Sequence, residues 1–227
     1  MALEWSQGFE SGTPATVFDA VGGTPTFVTD FPASGLQALR CPTPADVGRK
    51  NLSTGSIKVI HARFRISAFH ASSDHDILRF QNSAGTNTAA LTVLPDADRR
   101  CILTYNLGSY TGSASTALSL NTYYQVTFYV DASANPWTMD WQLNGAEMTG
   151  GAPATAAASF DRVFIGPLGS TGSFDVRIDS VAVYDSLADW VPSDPWSAGL
   201  TAPLVSSGAY SNQRVAKGPS LIYNRPH

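Results

Sequence analysis

Hydrophobic and polar residues alternate one by one along three long segments of the chain, Val59–Phe69, Tyr123–Asp131 and Phe174–Tyr184. In the first of them every second residue from Ile60 to Ala68 is apolar, and most of the residues between are polar. A period of two residues places alternate side chains on opposite faces of a β-strand. The pattern therefore predicts three long strands, each with one face in a core.

Shorter apolar segments bounded by turn residues predict further strands. These segments are Thr16–Ala20, Thr26–Thr29, Leu36–Cys41, Ile77–Gln81, Ala89–Leu94, Cys101–Tyr105, Thr138–Leu143 and Arg162–Ile165. The pair Asn144-Gly145 after a strand is a strong signal for a hairpin turn. About eleven strands at this spacing, with helix limited to one turn near Ser186–Trp190, predict an all-β sandwich or barrel.

The composition excludes several classes of partner. Only 14% of the 227 residues are charged, the formal net charge is −4, and Ser and Thr supply much of the polarity. This charge gives no long-range attraction to nucleic acid or to an anionic membrane. No apolar run approaches the roughly 20 residues of a membrane span. Met1–Glu10 lacks the basic start and apolar stretch of a signal peptide, so we expect a complete chain made in the cytoplasm.

Several segments between residues 8 and 185 resemble a known family when they are taken in order. They are Gly8–Gly12, Leu120–Val126, the stretch from Asp131 to Gly145, Phe164–Gly166, and Phe174–Tyr184 with its Ile178–Val181 run. Their order and spacing resemble the concanavalin A-like, laminin-G-like jelly roll, of the kind found in virion proteins of tailed bacteriophages. The resemblance implies an antiparallel β-sandwich, and the alternation of apolar positions points independently to two such sheets.

The composition changes near Val191, where strand alternation stops and prolines become frequent. We therefore predict one jelly-roll domain over Met1–Trp190, followed by an extended C-terminal arm over Val191–His227. The arm carries apolar, aromatic and basic side chains suited to contact with a partner: Leu204, Tyr210, Arg214, Lys217, Leu221, Tyr223 and Arg225.

Catalytic residues are not predicted. The resemblance covers a family that includes glycoside hydrolases, which need two carboxylates about 5–10 Å apart at the scissile bond. No glutamate stands at a useful spacing within a predicted strand, and Asp175 and Asp179 share a face only on the strand that closes the domain. No Ser-His-Asp arrangement or glycine-rich phosphate loop can be proposed. The chain is therefore predicted not to be an enzyme.

No metal or cofactor is predicted either. The segment His70–Asp76 holds two histidines and two aspartates, but its place between two strands favours a solvated loop over a metal site. The resemblance implies calcium at a sheet rim in some relatives, whereas Asp96 and Asp98 indicate a turn. Cys41 and Cys101 are predicted to be buried thiols, and they could form a disulfide only if their Cα atoms lay within about 7 Å.

Aromatic residues offer the best candidate for a small-molecule site. Trp137, Met139 and Trp141 share one face of a predicted hairpin, and such a stripe usually belongs to a core. Tyr123 and Tyr129 lie on the face opposite the apolar positions of their strand. They are the candidate platform for a glycan, because an exposed aromatic ring provides a flat apolar surface.

Two functions remain open. The first is a non-enzymatic structural component of a tailed-bacteriophage virion, assembled in the host cytoplasm: a capsid decoration, head-fibre or minor tail protein. Its partners would be other virion proteins and further copies of the chain, attached through the arm. The alternative is a carbohydrate-binding module that attaches to cell-surface glycans. The sequence leaves open a capsid or tail location and the oligomeric state.

The arm is predicted to be the attachment element, since residues 200–227 contain three basic and no acidic residues and many apolar ones. That segment is too apolar to stay disordered alone. Deleting the residues after Gly199 should leave a folded, soluble β-domain that no longer assembles with partners or with itself. Light scattering and circular dichroism of both chains check this. Assembly of the shortened chain at the full-length level would contradict it, and loss of folding would place the arm in the domain's own sheet.

Overall fold

The computed structural model describes residues 3–30, 32–33, 35–106, 108–168 and 172–187. These residues form fifteen strands and a single short helix, α1 (Pro14–Val17). The strands are β1 (Leu3–Gln7), β2 (Ala20–Gly22), β3 (Thr26–Val28), β4 (Ala38–Cys41), β5 (Val47–Gly55), β6 (Ile57–Ala68), β7 (His75–Gln81), β8 (Thr88–Val93), β9 (Cys101–Tyr105), β10 (Ser109–Thr111), β11 (Tyr123–Asp131), β12 (Thr138–Leu143), β13 (Ala146–Gly151), β14 (Phe160–Leu168) and β15 (Asp175–Tyr184). A helix of this length cannot cross a lipid bilayer, and the described part of the chain holds no longer one.

The strands form two antiparallel sheets. The front sheet has the order β13-β12-β11-β6-β15-β4-β3, and β1 pairs with β15 as its eighth strand. The back sheet has seven strands in the order β10-β9-β8-β7-β14-β5-β2. The chain crosses between the sheets repeatedly, for example from β6 to β7 and from β14 to β15. The predicted all-β antiparallel sandwich is therefore confirmed.

The core lies between the two sheets, and the alternating positions supply it as predicted. On β6 the inward residues from Ile60 to Ile66 are at most 1% exposed. Phe128 of β11, in the front sheet, meets Phe80 of β7, in the back sheet, with 5.5 Å between their ring centroids. Burying a side chain of this size contributes about 1.5–3 kcal/mol, so these facing aromatics hold the two sheets together.

The hairpin of β12 and β13 matches its prediction closely. Trp137, Met139 and Trp141 are at most 1% exposed, which confirms that their stripe belongs to the core. Asn144 and Gly145 both have positive φ angles, 52° and 77°. Two consecutive residues with positive φ are typical of the tight turn that matches strand twist, and Asn-Gly is the pair that tolerates it best.

A β-bulge at Ser180 divides β15 into two halves. Val176 and Ile178 point into the core before the bulge, and Val181 and Val183 do so after it. The extra residue is Ser180, with φ of +53°, and the pairing with β6 shifts between Asp179 and Ala182. The alternation therefore changes phase within one strand, which pairs first with β4 and then with β1.

Two predictions near the N-terminus are wrong. Thr16–Ala20 is not a strand, because α1 begins at Pro14 and the Thr16 hydroxyl accepts a hydrogen bond of 2.9 Å from the Thr13 N–H. Proline suits the first position of a helix, where its missing N–H costs nothing. Gly8–Gly12, whose resemblance to the family implies the first strand, is not a strand either, since Phe9 and Gly12 have positive φ angles that interrupt an extended chain. The first strand is β1 instead.

One long strand escaped the sequence analysis altogether. β5 (Val47–Gly55) has few apolar residues, and no alternation is visible in it. It is paired on both sides, with β14 and with β2, so backbone hydrogen bonds to two neighbours hold it in place.

The structure also tests the predictions for the two cysteines and for the turn at Asp96 and Asp98. Cys41 and Cys101 are confirmed as free, buried thiols, and burial raises the pKa of both. Asp96 and Asp98 lie in a turn, where the Asp98 N–H donates to the Pro95 carbonyl over 2.9 Å. The boundary at Trp190 and the C-terminal arm fall outside the described residues, so both stay predictions.

A buried ion pair fastens β1 to the sandwich. The Lys58 ammonium, on the inward side of β6, lies 2.7 Å from the Glu4 carboxylate, and the two side chains are 1% and 5% exposed. Lys58 also donates to the Ser53 carbonyl over 2.8 Å, and the Ser53 hydroxyl donates to Glu4. Each charge is tolerated in this position only because the other compensates it.

Removing one member of this pair should destabilise the fold strongly. In Lys58→Met the Glu4 carboxylate stays buried without its counter-charge, and we expect a loss of about 3 kcal/mol in the free energy of unfolding. The double variant Glu4→Leu/Lys58→Met should recover most of that loss, because no uncompensated charge remains. Urea unfolding of the three chains measures both effects. A double variant less stable than Lys58→Met would contradict this account.

Candidate functional site

The surface of the front sheet that faces away from the core, here called the front face, carries most of the polar side chains of the sheet. The register places Tyr123, Arg65, Arg177 and Arg40 side by side across four strands. Gln125, Arg63 and Asp179 form the next row. Rows on the same face are about 6.6 Å apart, two residues along each strand. The polar half of the alternating pattern is thus gathered on one surface.

Carboxylates hold two of these arginines in place. Arg40 donates to Asp175 through Nε and through a terminal nitrogen, the latter over 2.8 Å. This pairing raises the pKa of Arg40. Arg177 pairs with Asp30 and donates to the Ser67 hydroxyl over 2.6 Å. A guanidinium held at two points has little freedom left, so this edge of the front face is rigid.

A depression of about 310 Å³ opens on the front face beside Tyr123. The described residues that line it are Pro32, Ala33, Arg63, Tyr123, Tyr124, Gln125 and Asn144. Its volume lies at the lower end of the 300–1,000 Å³ common for small-molecule sites. Polar groups and aromatic rings are mixed in the lining, which is the usual arrangement in such sites.

Local structure fixes the polar groups around this depression. Asn144 belongs to the tight turn after β12, and its side-chain oxygen accepts a hydrogen bond of 2.9 Å from the Gln125 N–H. The Asn144 N–H donates to the Gln125 carbonyl over 2.8 Å. The Tyr124 ring stacks on Phe64, and its hydroxyl accepts from the Ser119 N–H. The turn that the sequence predicted therefore also places a site residue.

Tyr123 lies on the front face, as predicted, and is half-buried at the depression. Burial, and then the nearby Asp179 carboxylate, raise the pKa of Tyr123 to about 12. Its phenol is therefore neutral at physiological pH. It can donate a hydrogen bond and offer its ring as an apolar surface, but it cannot serve as a ready base.

Tyr129 shares the front face but stands apart from the depression. It lies six residues further along β11, or roughly 20 Å away. Its cross-strand neighbour is Asp140, and Asp131 follows two residues later on the same face. Burial first, and then Asp140 and Asp131, raise its pKa. The two predicted platform residues thus occupy different electrostatic surroundings.

The predicted partner-binding residues of the arm, from Leu204 to Arg225, lie outside the described part of the chain.

The sequence analysis missed the residues that surround Tyr123. Arg63, Gln125 and Asn144 line the depression, yet none was a predicted site residue. Arg63 and Gln125 occupy polar positions of two of the three long alternating segments, so the pattern places them on the polar face of each strand. It does not show that they meet, because that depends on how β6 and β11 align.

The acidic pair singled out in the sequence does not resemble a hydrolytic site. Asp175 and Asp179 do share the front face of β15. Asp175 is bound to Arg40, whereas Asp179 is fully buried and accepts a bond of 2.6 Å from the Ser180 N–H. Both carboxylates serve the structure of the sheet, and neither lines the depression in the described part of the chain.

A second depression, of about 200 Å³, lies on the back sheet. Asp76 lines this depression, and its Oδ1 accepts a hydrogen bond of 2.6 Å from the Thr92 hydroxyl. A terminal nitrogen of Arg79 lies 3.3 Å from the Oδ2 of Asp76. Burial raises the pKa of Asp76. At the rim the Tyr110 hydroxyl donates to Asp74. Asp76, Thr92 and one terminal nitrogen of Arg79 are thus engaged with one another, whereas the buried Nε of Arg79 has no hydrogen-bond partner among the described residues.

The solvated-loop prediction for residues 70–76 is wrong for both histidines. His70 is 8% exposed and His75 is fully buried, with 4.8 Å between their ring centroids. Phe174 lies 4.9 Å from His75 on the other side. The Nδ1 atom of His70 accepts hydrogen bonds from the Ser72 and Ser73 N–H groups over 3.2 and 2.8 Å, whereas the His75 ring packs between His70 and Phe174. No group of three metal-ligating residues forms among the residues that the structure describes.

Comparisons with known proteins bear on the fold. No family model and no curated protein matches the sequence. The structure is similar to alginate lyase Aly36B in complex with an alginate trisaccharide, with a TM-score of 0.61, 14% identity, and coverage of 81% of this chain and 98% of that one. Cip1, a cellulose-induced protein, is similar with a TM-score of 0.58, 16% identity and the same coverage.

A third similar structure is that of botulinum neurotoxin type C, whose cell entry depends on interaction with two ganglioside molecules. Its TM-score is 0.53 at 10% identity, and the match covers 74% of this chain and 43% of that chain. At these identities the likeness shows the fold alone. It confirms the predicted jelly-roll sandwich.

The buried His75 should make stability depend on pH. Burial, and then the neighbouring His70, lower the pKa of His75 to about 4 from 6.5, although Asp74 opposes this. Between these values the unfolded chain binds a proton that the native chain does not, so stability falls as the pH falls. From pH 7.5 to pH 5 this histidine should cost about 2 kcal/mol.

The variant His75→Phe isolates this effect, because it keeps an aromatic ring and removes the titration. Urea unfolding at the two pH values should show a smaller loss of stability in the variant than in the original chain. The difference between the two losses is the quantity to measure, since carboxylates titrate equally in both chains. Equal losses would contradict the assignment to His75.

Proposed function

We propose that this chain is a saccharide-binding β-sandwich domain whose site is the front-face depression at Tyr123. The observation that carries the proposal is the composition of that depression: an aromatic ring beside the Arg63 guanidinium and the side-chain amides of Gln125 and Asn144. A sugar presents apolar C–H faces and hydroxyl groups at its edge. An aromatic ring suits the first, and planar hydrogen-bonding groups suit the second.

Two of the similar structures add support. One is an alginate lyase bound to an alginate trisaccharide, and another is a neurotoxin whose cell entry depends on gangliosides. In both cases the ligand contains sugar. The same sandwich is thus compatible with saccharide recognition, although fold alone does not fix function.

The lining of the depression favours binding over cleavage. Hydrolysis or elimination at a sugar needs a group that gives or takes a proton near neutral pH. The described lining has neither a carboxylate nor an imidazole, and the phenol of Tyr123 has a pKa of about 12. The front-face histidine His61 lies in the next row, bonded over 2.7 Å to the Thr127 hydroxyl. The proposal therefore keeps the non-enzymatic prediction.

The virion role stays a prediction. It depends on the C-terminal arm, which lies outside the described residues, and none of the three similar structures is described as a virion protein. A saccharide-binding domain could also serve on a virion, so the two roles are compatible. The predicted homo-oligomer and the virion location likewise stay predictions.

A glycan array followed by calorimetry tests the proposal. The full chain should be retained on a subset of saccharides, and Tyr123→Ala should weaken binding about tenfold because a stacking surface is lost. Tyr129→Ala should weaken only oligosaccharides long enough to span the roughly 20 Å between the two tyrosines.

Tyr110→Ala is the matched control, since Tyr110 is 53% exposed on the back sheet. It should leave binding within about twofold of the original value. Circular dichroism of each variant verifies that the β-structure is kept. Retention on no saccharide, or an equal loss in Tyr110→Ala, would overturn the proposal.

A further inference from the structure

We propose that the depression binds a saccharide whose acidic residue carries a carboxylate, and that Arg63 recognises this group. The inference rests on the proposed function and adds the class of ligand. Arg63 is the one cation among the described lining residues, and no anion accompanies it there. The described lining therefore carries a formal charge of +1, although the whole chain has a net charge of −4.

The charge balance of the surrounding face points the same way. The two rows of the front face that meet the depression contain Arg40, Arg63, Arg65 and Arg177, and three carboxylates lie beside them. Asp175 pairs with Arg40, and Asp30 pairs with Arg177. The third, Asp179, is the cross-strand neighbour of Arg63. The formal charges of these seven side chains sum to +1, at the end of the front face that contains the depression, while Asp131 and Asp140 lie at the opposite end.

Asp179, the cross-strand neighbour of Arg63, does not exclude a second carboxylate from this guanidinium. Asp179 is fully buried, and one of its oxygens accepts from both the N–H and the hydroxyl of Ser180. A guanidinium has five N–H donors in a planar fork, so it can serve two carboxylates on different edges. The half-buried setting of Arg63 strengthens such a bond, because little water competes for it.

The chemistry of the flanking groups favours a carboxylate over a neutral sugar edge. The guanidinium offers paired donors that match the two oxygens of a carboxylate, and Gln125 and Asn144 add amide groups on the same side. The neutral Tyr123 phenol adds another donor. Tyr123 supplies the apolar surface for the sugar ring that bears the acid.

The opposite end of the front face sets the position of the acid within the ligand. Asp131 and Asp140 flank Tyr129 there and would repel a second carboxylate. A saccharide that runs from Tyr123 towards Tyr129 should therefore carry its acid at the Tyr123 end and neutral residues beyond it. A chain with an acid on every residue should gain nothing from greater length.

A paired array tests the class of ligand. Oligosaccharides that contain uronate or sialate are printed beside their methyl esters, beside sulfated saccharides and beside neutral saccharides. The full chain should be retained by carboxylated members and released by the methyl esters. Oligosaccharides with one terminal acid should bind at least as well as uniformly acidic ones of the same length.

Each other outcome has a separate meaning. Retention by neutral members or methyl esters alone would overturn the inference and leave the proposed function standing. Equal retention of sulfated members would show that any anion suffices and would overturn the carboxylate assignment. Retention of nothing would overturn the proposed function, and the inference with it.

Variants of Arg63 assign the recognition to this side chain. For a retained uronate oligosaccharide, Arg63→Gln should lower the affinity tenfold to a hundredfold, the usual effect of losing a hydrogen bond to a charged group. Its affinity for the methyl ester should change less than about twofold. Arg162→Gln, on the back sheet, is the matched control and should keep both affinities. An unchanged preference for the acid in Arg63→Gln would overturn the inference.

Discussion

The pairing of β6 on both edges is the constraint on which the rest of the structure depends. β11 and β15 flank this strand, so its backbone cannot slide or rotate without breaking two ladders of hydrogen bonds. Its inward side chains from Ile60 to Ile66 are almost entirely buried, which fixes the direction of every second residue. The outward residues, Arg63 and Arg65 among them, are placed by the same rule. The register of β6 with its two neighbours therefore determines both which side chains enter the core and which form the candidate site.

Sequence patterns correctly predicted those strands that have one face in the hydrophobic core and a polar opposite face. The long strands, the buried tryptophan stripe and the Asn144-Gly145 turn all follow from local chemistry, and the structure has them where the sequence indicates. β5 could not be found in this way, because its stability comes from pairing with β14 and β2 rather than from its own side chains. The helix at Pro14 was missed because the short apolar run after it suggested a strand, whereas the local capping at Thr13 and the proline at the first helical position favour a helical turn.

The candidate site was predictable only in part. The sequence placed Tyr123 and Gln125 on the polar face of one strand but could not join them to Arg63 and Asn144, since these lie on another strand and in a turn and are brought close by register. Nor could it separate the surroundings of Tyr123 from those of Tyr129, because the acidic neighbour Asp140 arrives from another strand. The burial of His70 and His75 was likewise invisible, since their local sequence is as polar as that of any exposed loop.

The bulge at Ser180 has a consequence for how this surface can evolve. The residues before it turn Arg177 and Asp179 outward, and those after it turn Val181 and Val183 inward, so the single extra residue keeps both halves of β15 correctly oriented. Losing one residue there would exchange the faces of one half, exposing valines or burying charges. Divergence of the front face is thus confined to replacements of one side chain by another. Changes of length must be accommodated in the connecting loops, away from this strand.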